Sequence, residues 1–140
     1  MEKRPVIFYT DDDKDDLDLF ADAATALPAD VRLFREAGEM LIEIERSPDV
    51  PSLIFVDLNM PLVTGFDVIK TLRAHGIQTP VVVLSTGGDA SSVEKTYSLG
   101  ANYYIKKPAS VKILKEAIAH ILGIDWKSFK PSIKEFTHRF

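Results

Sequence analysis

The 140-residue sequence contains no cysteine. Disulfides, thiolate metal sites and cysteine nucleophiles are therefore excluded. No apolar run approaches the roughly 20 residues needed to cross a bilayer. The opening residues, MEKRP, lack the apolar core of a secretion signal. The expected location is the cytoplasm, with no membrane partner. Basic charge is also not in surplus: 17 Lys and Arg stand against 21 Asp and Glu, a net −4. General nucleic-acid binders carry a basic face, so no DNA partner is expected. Internal repeats and low-complexity tracts are missing too. What remains is ordinary for one compact domain, with 46% hydrophobic and 27% charged residues. A chain of this length buries a core without staples.

One stretch departs from the ordinary. TDDDKDD, residues 10–16, sets five carboxylates in seven positions, directly after the apolar run PVIFY. Like charges this close cost free energy unless something positive sits among them.

The rest of the chain shows why the cluster lies where an apolar segment ends. Residues 6–9 form a short apolar run rich in β formers, which predicts a buried strand. Leu17, Phe20, Ala24 and Leu27 then recur at helical spacing up to Pro28. Further strands are predicted at VRLF (31–34), SLIFVD (52–57), PVVVLS (80–85) and NYYIK (102–106). Between them lie helical segments over 37–46, 64–76 and 90–100, the last starting from a Ser91/Glu94 capping box. Val111, Leu114, Ile118 and Ile121 line a final helix that ends at Gly123. Strict strand–helix alternation predicts an α/β fold, a doubly wound parallel sheet with helices on both faces. Such sheets place their sites outside the carboxyl ends of the strands. Asp11 and Asp12 follow strand one, Asp57 ends strand three, Ser85 ends strand four and Lys107 follows strand five.

Three carboxylates in one crevice call for a divalent cation. Oxygen-only ligands favour Mg²⁺ (or Mn²⁺). Lys107 adds fixed positive charge and Ser85 a hydroxyl donor. Metal, ammonium and hydroxyl around one carboxylate suit phosphoryl transfer, with the carboxylate as nucleophile.

With these motifs in place the sequence resembles the receiver domains of two-component response regulators, over roughly residues 5–122. The resemblance rests on DDD after strand one, FVDLNMPLVTG around Asp57, VVVLST at strand four and YYIKKPAS at strand five. It implies a flavodoxin-like (βα)5 fold with a five-stranded parallel sheet in the order 2-1-3-4-5. It also implies Asp57 as phospho-acceptor, with Asp11, Asp12, Asp57 and the Asn59 carbonyl holding Mg²⁺. Ser85 and Tyr104 become switch residues, Lys107 the phosphate-neutralising lysine, and Pro108 a proline usually cis in the family. The implied partners are a histidine kinase or histidine phosphotransfer protein and an unknown downstream protein. The implied activity is self-phosphorylation and self-dephosphorylation only, without other enzymatic turnover. Thr86, Ala109 and Thr10 depart from the family's usual small, aromatic and aliphatic residues, but none removes a required charge.

A haloacid-dehalogenase-type phosphatase is the alternative. Asp11 would be its nucleophile and Asp13 its acid/base, but no acidic pair follows Lys107 to hold the metal. Asp13, Asp15, Asp16 and Asp18 are expected to form a solvated face near a helix start. The expected domain division is a receiver at 1–123 and an extension at 124–140, too short for an output domain. In the extension Trp126, Phe129, Ile133, Phe136 and Phe140 are spaced by three or four. With Pro131 interrupting, a short helix from that proline is expected. Its aromatic stripe would pack on the domain or meet a partner, possible homodimer included.

Overall fold

The computed structural model describes residues 4–87 and 89–138. Strands and helices alternate as β1 (Val6–Thr10), α1 (Lys14–Ala24), β2 (Asp30–Phe34), α2 (Ala37–Arg46), β3 (Leu53–Val56), α3 (Gly65–Ala74), β4 (Val81–Ser85), α4 (Ala90–Leu99), β5 (Tyr103–Lys106) and α5 (Val111–Leu122). A two-residue β6 (Thr137–His138) follows. The sheet runs β2-β1-β3-β4-β5-β6, parallel at every pairing. The expected 2-1-3-4-5 order is therefore present, extended by one strand.

Alternation along each strand sorts side chains to two faces. Ile7, Tyr9, Phe55, Leu84 and Ile105 pack beneath α1 and α5. Phe8, Ile54, Val56, Val83 and Tyr104 pack against α2 and α3. The central strands β3 and β4 are buried throughout, as strands covered on both faces must be. Outer strand β2 is different: Asp30 and Arg32 sit among exposed or half-buried positions. Arg4 lies 3.7 Å from Asp30, and Arg32 lies 3.8 Å from Glu43.

Side-chain caps set the starts of α1, α3, α4 and α5. Asp13 accepts from the Asp15 and Asp16 amides at α1, and Ser110 accepts from the Ile113 amide at α5. Thr64 and Asp67 cap α3 reciprocally. At α4 the cap is Asp89, which accepts from the Ser92 amide, rather than the Ser91/Glu94 pair.

Two further expectations are corrected. No cis peptide bond occurs among the described residues, so the bond before Pro108 is trans. Trans is the ordinary preference of an X–Pro bond, by about 0.5–1 kcal/mol, and the strand-end bond from Lys107 N–H to the Ser85 carbonyl (2.9 Å) forms with it. The helix expected from Pro131 is also not formed. A turn closed by Phe136 N–H on the Ser132 carbonyl (3.0 Å) leads directly into β6. So short a segment gains little from helical bonds, whereas pairing with β5 buries Phe136 completely.

Candidate functional site

Backbone hydrogen bonds at the carboxyl ends of the strands fix the site. The Asp57 N–H donates to the Thr10 carbonyl (3.1 Å), and the Asp11 N–H to the Phe34 carbonyl (3.1 Å). Each residue that leaves its strand is thus still held by the neighbouring one. The loop after β3 then folds back over Asp57. An added Cβ at Gly65 would lie 2.4 Å from the Asp57 carbonyl oxygen, so no side chain fits there.

Asp11 is fully buried, Asp57 nearly so, and Asp12 is exposed. One oxygen from each of the three lies within 4.8 Å of the others, the kind of set a hard divalent cation takes. The Lys107 Nζ stands 2.8 Å from Asp11 Oδ2 and 3.6 Å from Asp57 Oδ1. It also lies 2.7 Å from Asp16 Oδ2. Asp11 has further partners: the Tyr9 hydroxyl donates to its Oδ2, and the Asp13 N–H to its Oδ1 at 3.0 Å.

The electrostatics follow from this crowding. Burial pushes the Asp57 carboxyl up to about 6, and the Asp11 charge adds to the rise. Lys107 and a hydrogen bond from the Asn59 N–H oppose it without cancelling it. Burial alone would lower Lys107, but its hydrogen bonds to Asp11 and Asp16 outweigh that and raise it. Burial raises the Tyr9 hydroxyl, and Asp11 raises it further. One ammonium therefore leaves negative charge uncompensated around Asp57.

Ser85 is fully buried at the end of β4, and its Oγ has no hydrogen-bond partner among the described residues. Tyr104 is buried beside it, but its hydroxyl donates to the Gly87 carbonyl at 2.8 Å. Thr86, which follows Ser85 in sequence, is exposed. Asn59 lies on the exposed loop two residues beyond Asp57.

The structure thus brings together Asp11, Asp12, Asp57, Ser85 and Lys107, with Asn59 and Tyr104 at the margins. Asp16 is an addition: it was expected on a solvated face, yet it bonds Lys107 across 91 positions of sequence. Only its place one turn into α1 hints at this. Asp13 serves as the α1 cap, which occupies the carboxylate that a phosphatase would need as acid/base.

Fold and site together define a doubly wound sheet carrying an acidic, lysine-bridged crevice at its carboxyl edge. The response regulator receiver domain family matches residues 7–119, and the chain belongs to that family. It is 35% identical over 95 residues to the cell cycle transcriptional regulator CtrA of Caulobacter vibrioides, covering 62% of this chain and 41% of that one. It is 26% identical over 141 residues to the response regulator protein TodT of Pseudomonas putida, covering 99% and 61%. The chain therefore spans less than two thirds of these relatives' length. Among solved structures it resembles the phosphorylated cyanobacterial phytochrome response regulator RcpA, with TM-score 0.77, 28% identity, and coverage of 92% and 98%. The chemotaxis response regulator CheY4 of Vibrio cholerae shares the fold at TM-score 0.75 and 20% identity, covering 85% and 99%. No helix among the described residues is long and apolar enough to cross a membrane.

Proposed function

We propose that the chain is a phosphoryl-accepting signalling switch, with Asp57 as acceptor and a phosphohistidine on a kinase or phosphotransfer protein as donor. The observation that carries this is the meeting of Asp11, Asp12 and Asp57 around the Lys107 ammonium.

A carboxylate oxygen of Asp57 attacks phosphorus. The new O–P bond forms as the P–N bond breaks, and its electron pair stays on the donor imidazole. Lys107 is near enough to pair with a phosphoryl oxygen, and the free Ser85 hydroxyl can donate to another. The donor set is hard and its charge uncompensated, so it fits Mg²⁺ (or Mn²⁺) held by Asp11, Asp12, Asp57 and the Asn59 carbonyl. When bound, the cation supplies charge neutralisation on the transferring group. Repositioning of Ser85 and Tyr104 then alters the surface of α4, β5 and α5, and with it the preference for a downstream protein.

The phosphatase alternative is disfavoured by Asp11 itself, whose two oxygens are engaged by Tyr9, Lys107 and the Asp13 N–H. Incubation with Mg²⁺ and acetyl phosphate, followed by mass mapping of the acyl-phosphate, decides between them. Label on Asp57, lost in Asp57→Asn, is expected. Label on Asp11 would mark a phosphatase, and no label a module that only binds proteins.

A further inference from the structure

Phe129 and Phe136, beyond α5, lie outside the acidic site, yet they reach the strand that borders it. Phe136 is fully buried. Its ring stands edge-on to Tyr97 of α4 at 5.2 Å and lies 6.3 Å from that of Tyr104. The Tyr104 N–H donates to the Phe136 carbonyl at 2.9 Å, and β6 pairs with Tyr104 and Ile105. The Tyr97 hydroxyl donates to the Pro131 carbonyl at 3.0 Å. Backbone pairing plus one aromatic plug is how an added strand docks on a sheet edge. Residues 131–138 therefore sit as a ligand would on β5 and the adjoining side of α4.

Tyr104 is shared between this ligand and the site. Its backbone and ring meet the tail, while its hydroxyl holds the Gly87 carbonyl, two residues beyond the unpartnered Ser85 Oγ. Swinging the ring outward would forfeit the contact with Phe136 and release the loop after β4. The seated tail keeps the ring in and the loop pinned, with the Ser85 hydroxyl ready for an acceptor. A phosphoryl oxygen on Asp57 is the acceptor it lacks.

We propose that residues 131–138 are an intramolecular ligand of the α4–β5 surface, and that their seating and phosphoryl occupancy at Asp57 favour one another through Tyr104. The coupling rests on the reading of Asp57 as acceptor. It is reciprocal, as any linkage between two binding events must be. A downstream protein that uses this surface would meet the tail as part of it, or compete with it for the β5 edge.

Hydrogen exchange at the Tyr104 amide reports the seating directly, because its partner is the Phe136 carbonyl. The full chain is compared with and without Mg²⁺ and beryllofluoride, a phosphoryl mimic, and beryllofluoride affinity is measured in parallel. Expected is exchange slowed at least about fivefold on binding, the lower end of ordinary coupling. Phe136→Ala should speed exchange and weaken beryllofluoride by a similar factor. Tyr97→Phe, which keeps the ring and loses only the hydroxyl, should move both in the same direction by less, and serves if Phe136→Ala fails to fold. Unchanged or faster exchange with beryllofluoride bound overturns the coupling alone. Failure of both beryllofluoride binding and acyl-phosphate formation at Asp57 overturns the acceptor reading, and this proposal with it.

Discussion

At Asp57 burial and charge work against ionisation, and pH should reveal it. A carboxyl raised from 3.8 to about 6 on folding resists becoming charged in the native state. The difference is on the order of 3 kcal/mol. The advantage is fully present below about pH 4 and is lost as pH rises through 6. In metal-free buffer Asp57→Asn should therefore raise Tm at pH 7–8 and change it little near pH 4. Thermal melts across pH check this, and added Mg²⁺ should narrow the gap. A second residue-level expectation concerns Asp16. Removing it as Asp16→Asn frees Lys107 from its 2.7 Å contact, which should lower the Asp57 pKa in a carboxyl-carbon NMR titration. Asp57, Asp11, Asp12, Ser85 and Lys107 were legible because strand ends are easy to locate and the edge they define is shared. Asp16 was not, because its partner is distant in sequence and a charged helix start is more often solvated.

Among the elements, the passage from β3 into the first residue of α3 carries two opposed constraints three residues apart. Gly65 lies so close to the Asp57 carbonyl that a methyl group must displace backbone. Gly65→Ala should cost about 1–3 kcal/mol. Leu62 has the reverse problem: it is fully exposed and holds φ at 67°, where an L side chain is strained. Leu62→Gly loses no burial and should leave stability equal or raise it by up to about 1 kcal/mol. Urea denaturation of both variants tests the pair, and matching signs would refute the strain assignment. The strand–helix alternation was legible from apolar runs and their punctuation. β6 was not: two residues have no period to detect, and the spacing of the tail aromatics fits a helix as readily as turns around Phe136.

For the molecule as a whole, the tail belongs to the core. Phe136 lies in the same cluster as Val83, Leu72 and Tyr104, while Trp126 and Phe129 pack on the opposite face of the sheet. Truncation after Gly123 should cost at least about 3 kcal/mol, the usual loss for one buried phenylalanine. It should also promote self-association through the uncovered β5, measurable by sedimentation. A stable, monomeric truncation would show that the tail contributes little. With β6 in place, the sheet's two margins among the described residues are β6, only two residues long, and β2, flanked by the Arg4–Asp30 and Arg32–Glu43 pairs. An incoming strand there would have to strip water from charged groups on arrival. Neither margin thus offers an incoming strand much, a two-residue stub on one side and ions on the other, so copies of this chain gain no easy route to grow into a ribbon.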